Sequence, residues 1–401
     1  MLLAVFVATV LIANICGTPI STCLIGAGIG TLIYEVLTGF KSPMFISSCG
    51  ATVSGVLGAL ALGGGNNYVA VALGGVIIAI VYIAFALLIK FGGKKYFDKI
   101  FPPSIVGAIT VVIGLNLAGF IPGYVGANNG VINAIPVLVA LFTMLITALT
   151  THYGKGFLKS IGFLIGLLSG FGLALILEVA KAYDFNIITT ITNIQPFNKN
   201  DFVFMRWANS PFEWSQLPQI IGFFLPVSIC AALEHYSDHK VLSNIIGVDL
   251  TKDPGLDRTL IGDGVASAVG TVIGGLPNTS YGESIATIGF SKVASVWTTC
   301  VAAVLLGVMG FIPPVTAFIN SIPSCVFGGC AMILYGYIAA SGLNTLIQNR
   351  VDLDDNKNLI VVSVILTVGV SGIYLFDASF AGVSLAMVLG VVLNLILKNK
   401  K

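Results

Sequence analysis

Apolar runs of about 20 residues, each long enough to cross the hydrocarbon core of a bilayer as a helix, follow one another from Leu2 to Leu397 with only short polar breaks. Such a run has few ways to fold. Without water its backbone polar groups must be satisfied within the segment, and a helix does that. Charged residues make up 9% of the 401-residue chain and hydrophobic ones 56%, against about 25% charged in water-soluble domains. A soluble globular fold is excluded. A net charge of +2 provides no basic surface for nucleic acid. The seven cysteines are scattered through apolar runs, with no CxxC pair and no Cys/His cluster, and read as small packing residues. Met1 opens directly into an apolar run with neither a basic n-region nor a cleavage site, so that run reads as a membrane helix.

The pattern predicts an all-α polytopic membrane protein of about fourteen segments. They fall at 2–17, 20–39, 43–63, 68–90, 103–121, 131–151, 157–180, 219–247, 258–275, 278–292, 294–311, 317–347, 358–373 and 379–397. Lysine and arginine positions test this count, because cytoplasmic loops are enriched in them. With the N-terminus in the cytoplasm and strict alternation, only Lys181, Lys199 and Arg206 of the 19 basic residues fall on the far side. An even number of spans with both ends inside accounts for that asymmetry. Lys240 is the weakest member of the set, because it can lie within its helix.

The two halves resemble each other. LIGAGIGT from Leu24 matches LIGDGVAS from Leu260, PMFISSCGAT from Pro43 matches PNTSYGESIA from Pro277, and PSIVGAI from Pro103 matches PSCVFGG from Pro323. The matches keep their order, and seven spans separate equivalent segments, so the second copy is inverted. Inverted repeats supply two mirror-related gates around one site, which is a transporter design.

Two equivalent segments look broken. Residues 43–52 and 277–286 each open with proline and continue through small polar residues inside an apolar context. Proline removes a donor and disfavours helix just before it. Non-helical backbone at membrane depth survives only where it is buried in protein or lines a cavity. The expectation is two short extended segments, in the third and tenth spans, each feeding a half-helix whose N–H groups face a solute.

Ionisable residues within spans are costly and point to function. ALEHYSDHK places Glu234, His235, Asp238 and His239 in one span, with Asp263 in the next and Glu283 in the second broken segment. Glu234 and Asp238 lie four residues apart on one helix face. Two neighbouring carboxylates repel, which favours one of them keeping a proton, as a proton-coupled carrier requires. For the histidines a structural role and a relay role stay equally open. Glu35 and Glu178 read as structural. No HExxH, GxSxG or GxGD pattern suggests an enzyme.

The stretch from Glu234 to Ser267 together with GGLPNTSYGESIATIGFSKV resembles the nucleobase–ascorbate transporters, most closely the bacterial uracil permeases. FPPSIVGAITVVIGLNLAG, LYGYIAASG and NRVD are similar too, so the resemblance covers nearly the whole chain. It implies two inverted sevens. A core domain would comprise 1–95 and 219–311, a gate domain 96–185 and 312–401, and 186–218 would be an extracytoplasmic loop. It also implies short antiparallel strands in segments 3 and 10, and an elevator movement carrying a nucleobase with protons. Uracil is the first expectation and xanthine or uric acid the second, with an anion carrier of the same architecture as a further alternative. Carried onto this sequence, the resemblance makes Glu234, Tyr281, Gly282, Glu283, Cys49, Gly50 and Tyr335 substrate-binding. Glu234, Asp238, His239 and Asp263 become the proton-coupling set. It implies no cofactor, a bacterial cytoplasmic membrane location and a homodimer formed through the gate domain. Gly50 stands where uracil permeases usually carry an aromatic residue, and Ser284 where Asn is usual. Asp238 stands where uracil-type members can carry His, and Asp238 with Asp263 resembles the purine-transporting branch.

Overall fold

The computed structural model describes residues 1–62, 64–92, 102–128, 131–194, 210–373 and 382–397. Of the residues used in the charge argument, Lys94, Lys95, Lys99, Lys199, Arg206, Lys398, Lys400 and Lys401 lie outside the described residues. Short helical turns aside, the elements in chain order are α1 (Leu2–Cys16), α2 (Ile20–Leu37), β1 (Ile46–Ser48), α3 (Val53–Ala61), α4 (Tyr68–Gly92), α5 (Pro103–Ala118), β2 (Ala127–Asn128), β3 (Val131–Ile132), α6 (Ala134–Tyr153) and α7 (Gly162–Val179). There follow α8 (Leu217–Ile246), α9 (Leu256–Ile273), β4 (Asn278–Ser280), α10 (Gly282–Ser291), α11 (Val296–Met309), α12 (Pro313–Asn320), α13 (Ser324–Gln348), α14 (Asn356–Val370) and α15 (Gly382–Ile396).

The protein is mostly helical, and each apolar interval read from the sequence contains at least one of these elements. By length and composition seven described helices can cross a membrane, or up to eight with the bent pair α11–α12. α9 is long enough but carries Asp257, Arg258 and Asp263. The expected single span 317–347 is corrected: α12 ends at Asn320 and α13 starts only at Ser324, after Pro323. Proline has no N–H to continue the helix and holds the preceding residue extended. α12 instead folds back from α11 by 78°. The β2–β3 pair is a feature the sequence reading did not contain.

Both broken segments are extended, and they pair with each other. β1 and β4 form an antiparallel ladder with Ile46 opposite Ser280, Ser47 opposite Thr279 and Ser48 opposite Asn278. All six residues are buried. A two-stranded ladder alone is marginal, and the surrounding helices satisfy its edges. Thr31 on α2 donates to the Ile46 carbonyl (2.7 Å) and accepts from the Ile46 N–H (3.1 Å). Thr9 on α1 meets Ser47 at 2.6 Å. Ser267 on α9 donates to the Asn278 carbonyl, and the Asn278 side chain donates to the Gly26 carbonyl at 3.0 Å.

Helix packing falls into two groups. α2 packs on α9 and α11, and α4 on α8 and α9. Separately, α13 packs on α5 and α6, α6 on α7, and α14 on α5 and α15. Glycine permits the closest crossings, as is common between helices in lipid. A Cβ at Gly28 on α2 would sit 2.6 Å from the Ala303 carbonyl oxygen on α11, and one at Gly342 on α13 would sit 2.6 Å from the Gly107 carbonyl oxygen on α5.

Candidate functional site

The two half-helix starts open onto one cavity. Cys49, Gly50 and Ala51 line it from the first broken segment, and Ser280, Tyr281 and Gly282 from the second. The Cys49 sulfur accepts from the Ala51 N–H at 3.4 Å, capping the turn that leads into α3. Tyr281 is the extended residue just before α10, with φ −122°. The floor is thus built from backbone where two short helices begin, with N–H groups not used inside either helix.

The walls come from both helix groups. α8 contributes Glu234, Asp238 and Lys240, α5 contributes Pro103 to Ile113, and α13 contributes Tyr337, Ile338 and Gln348 among others. The volume is about 710 Å³, within the ~300–1,000 Å³ usual for small-molecule sites. Lys240 does lie within its helix, and its ammonium sits 4.8 Å from the Tyr236 ring centre. The lining on α8 runs from Cys230 to Asn244 and on α13 from Leu334 to Gln348, a depth of about 20 Å at 1.5 Å per residue.

α8 presents two polar faces. Glu234 is exposed to the cavity and Asp238 half-buried beside it, as their four-residue spacing requires. His235 and His239, about 100° round the helix, are fully buried on the other side. There His235 Nδ1 lies 2.6 Å from Asp263 Oδ2, and His235 Nε2 lies 3.0 Å from Thr259 Oγ1. The same Asp263 oxygen accepts from the Ser280 N–H at 3.0 Å, tying this pair to β4. His239 Nδ1 donates to the His235 carbonyl at 2.8 Å, and its Nε2 lies 2.7 Å from the Tyr34 hydroxyl. Tyr34 also bonds Ser42 Oγ at 2.8 Å. The two imidazole centres are 4.0 Å apart.

Of the residues expected in the site, Glu234, Asp238, Cys49, Gly50, Tyr281 and Gly282 come together on the cavity. Asp263 and His239 stand behind it. Glu283 is the second residue of α10, and its side chain lies outside the described residues. Tyr335 does not reach the cavity. On α13 the residues facing it are Leu334, Tyr337, Ile338, Ser341 and Thr345, a set spaced for one helix face. Tyr335 lies off that face and is buried. Three participants were missed by the sequence reading. Tyr34 and Ser42 look like ordinary polar residues at a helix end, and only the fold brings them to His239. Ile338 fills the room left by Gly50, where a Cβ would come within 2.7 Å of its Cδ1. Glu35 is fully buried in α2. Glu178 is the structural acid expected, accepting from the N–H groups of Phe185, Ile187 and Ile188 at 2.9–3.1 Å.

A polar cavity floored by interrupted helices inside an apolar helical body defines a multi-pass membrane transporter. The chain belongs to the Permease family (Xan_ur_permease), which matches residues 1–378. It is 34% identical over 403 residues to the uracil permease of Bacillus caldolyticus, covering 100% of this chain and 90% of that one. It is 36% identical over 417 residues to the uracil permease of Bacillus subtilis (strain 168), covering 100% and 91%. Among solved structures, the transmembrane domain of the cyanobacterial bicarbonate transporter BicA superposes with a TM-score of 0.61 at 13% identity, covering 98% of this chain and 94% of that one. At that identity the likeness is one of fold.

Proposed function

We propose that the protein imports a nucleobase, uracil first and xanthine or uric acid second, together with protons. The observation that carries this reading is the cavity itself: the residues that follow β1 and β4 on its floor and the Glu234/Asp238 face on its wall. Uracil offers ring N–H donors beside carbonyl acceptors on one edge. A carboxylate accepts from the first, and strand or half-helix N–H groups donate to the second. Glu234 and Glu283 are the proposed edge readers, Gly282 and Cys49 the backbone donors, and Tyr281 a ring face to pack on. Tyr337 and Ile338 take the position on α13 that was expected of Tyr335. Whole-length similarity to uracil permeases supports this cargo.

Proton coupling is assigned to Glu234, Asp238, His239 and Asp263, with no other cofactor. The membrane arrangement proposed is fourteen segments in two inverted sevens, in the bacterial cytoplasmic membrane with both termini inside. Under that topology the C-terminal ends of α8 and α13 and the start of α5, which line one end of the cavity, all lie at the lysine-rich face, so the cavity opens inwards. The two packing groups support a core (1–95 and 219–311) moving elevator-fashion against a gate (96–185 and 312–401) that also forms a homodimer. Lipid and the nucleobase are the other partners.

The fold likeness to a bicarbonate transporter and Lys240 in the cavity wall favour the alternative, an anion carrier. Two acidic side chains on the same wall oppose it, because an anion selects unpaired N–H groups and cations. Uptake by proteoliposomes separates the readings. The proposal expects saturable uracil uptake that a protonophore abolishes; uptake of bicarbonate with no competition by uracil overturns it.

A further inference from the structure

The hydrogen-bond chain behind the strands admits only certain proton positions. A carbonyl can only accept, so His239 Nδ1 carries hydrogen on its 2.8 Å bond to the His235 carbonyl. Tyr34 has one hydroxyl proton and two close partners, His239 Nε2 at 2.7 Å and Ser42 Oγ at 2.8 Å. With Tyr34 donating to Ser42 Oγ, His239 is neutral when the Ser42 hydroxyl donates to Nε2 across 3.4 Å. When Nε2 instead donates to the Tyr34 oxygen at 2.7 Å, His239 is an imidazolium. The same heavy-atom frame therefore holds two proton counts differing by one.

The second station is equally constrained. Thr259 Oγ1 donates to the Leu256 carbonyl at 3.1 Å, so it accepts from His235 Nε2. With Nε2 protonated, the 2.6 Å contact between His235 Nδ1 and Asp263 Oδ2 needs a proton between them. Otherwise a lone pair would face a carboxylate in a fully buried site. The His235–Asp263 pair thus shares one proton, held by either partner.

We propose that Ser42, Tyr34 and His239 form a proton relay from the α2–β1 connection, and that its loading is felt at strand β4 through the His235–Asp263 pair. A hydronium ion reaching the connection, one residue from the exposed Lys41, gives a proton to the buried Ser42 and is left as water. Ser42 passes its own to His239 Nε2, 3.4 Å away, and Nε2 then donates to the Tyr34 oxygen while the Tyr34 proton stays directed at Ser42. The imidazolium so formed stands 4.0 Å from the His235 ring. Two cations at this distance repel, so the shared proton moves from His235 to Asp263. Asp263 then changes from a carboxylate to a neutral acid. A neutral acid accepts less strongly from the Ser280 N–H, which loosens β4 next to the cavity floor.

The titratable groups that face this cluster are Glu35 beside Tyr34 on α2, Tyr82 on α4, Asp263 on α9, Cys49 after β1, and Glu234 and Asp238 on α8 itself. No lysine or arginine is among them, and the group that opposes charging His239 is the His235 ring 4.0 Å away.

This inference rests on the proton-coupled reading above, and one pair of measurements separates the two. In proteoliposomes, Tyr34→Phe and the milder Ser42→Ala are expected to exchange uracil at equal pH within twofold of the unaltered protein. Accumulation driven by an imposed pH gradient is expected to fall at least tenfold. Gradient-driven accumulation within twofold of the unaltered level in both variants overturns the relay. Independently of any substrate, nitrogen-15 NMR of the histidine-labelled protein, which has three histidines, reports the ring protons. The relay requires His239 to carry hydrogen on Nδ1 and to titrate at Nε2. A bare Nδ1 overturns it even if uracil is transported. Failure of the unaltered protein to exchange uracil, with the His239 pattern present, overturns the cargo and leaves the relay standing.

Discussion

Ile46 and Ser280 stand opposite each other in an antiparallel ladder although they come from opposite halves of the chain. The floor of the cavity is therefore one unit made by both halves. A movement that carries one strand carries the other, and Asp263 holds that unit through the Ser280 N–H.

Removing the ladder should remove the site. Thr279→Pro deletes a buried N–H and leaves its surroundings mismatched, at about 1–3 kcal/mol for each unsatisfied group. The thermal midpoint should fall and stabilisation by uracil should disappear. Thr279→Val, which keeps the backbone, should retain most of both. Equal behaviour of the two variants in a melting assay would show that the strand pairing is dispensable.

The His235–Asp263 pair should tolerate a neutral isostere far better than a truncation. Asp263→Asn can still accept from Ser280 and can donate to His235, so the fold should survive while gradient-driven accumulation is lost. Asp263→Ala strands a buried imidazole and should cost about 3–5 kcal/mol. Thermal melts of the two variants, read beside uptake, check the order.

Ile338 should set the fit of the base. It occupies the space over Gly50, the position at which the family resemblance implies an aromatic residue. Ile338→Ala should weaken uracil binding by about tenfold, the low end for loss of an apolar wall. It should weaken xanthine less, because the larger base uses the new room. Titration of both bases against the variant measures the ratio; a uniform loss for both would remove Ile338 from specificity.

Glycine positions should separate by their surroundings. Gly28→Ala drives a methyl group into the Ala303 carbonyl on α11 and should destabilise by about 1–3 kcal/mol. Gly172→Ala, in α7 with nothing within 4 Å of the added carbon, should be neutral or stabilise by about 0.5–1 kcal/mol. Melting curves in one detergent compare them directly.

Much of this architecture was legible because lipid makes periodicity and breaks unambiguous. The prolines at 43 and 277 and the polar residues after them marked both strands. What they did not show is the register in which the strands pair, since that is fixed by α1, α2 and α9 around them. Four-residue spacing placed Glu234 and Asp238 together, and the same periodicity sends His235 and His239 to the other side of α8. Tyr335 was placed by resemblance rather than by geometry, and a turn of α13 puts Tyr337 and Ile338 on the cavity instead. Tyr34 and Ser42 carry no local signal. Their role depends on a contact with His239, some 200 positions along the chain.

The central claim is that the acid-walled cavity binds a nucleobase. Thermal stabilisation of the detergent-solubilised protein by uracil, compared with Glu234→Gln, tests it most directly. At 100 times its dissociation constant a ligand adds about 2.7 kcal/mol. The account predicts a clear rise in midpoint for the unaltered protein and its loss in the variant. The same rise in both proteins, or a response to bicarbonate and to no base, would contradict it.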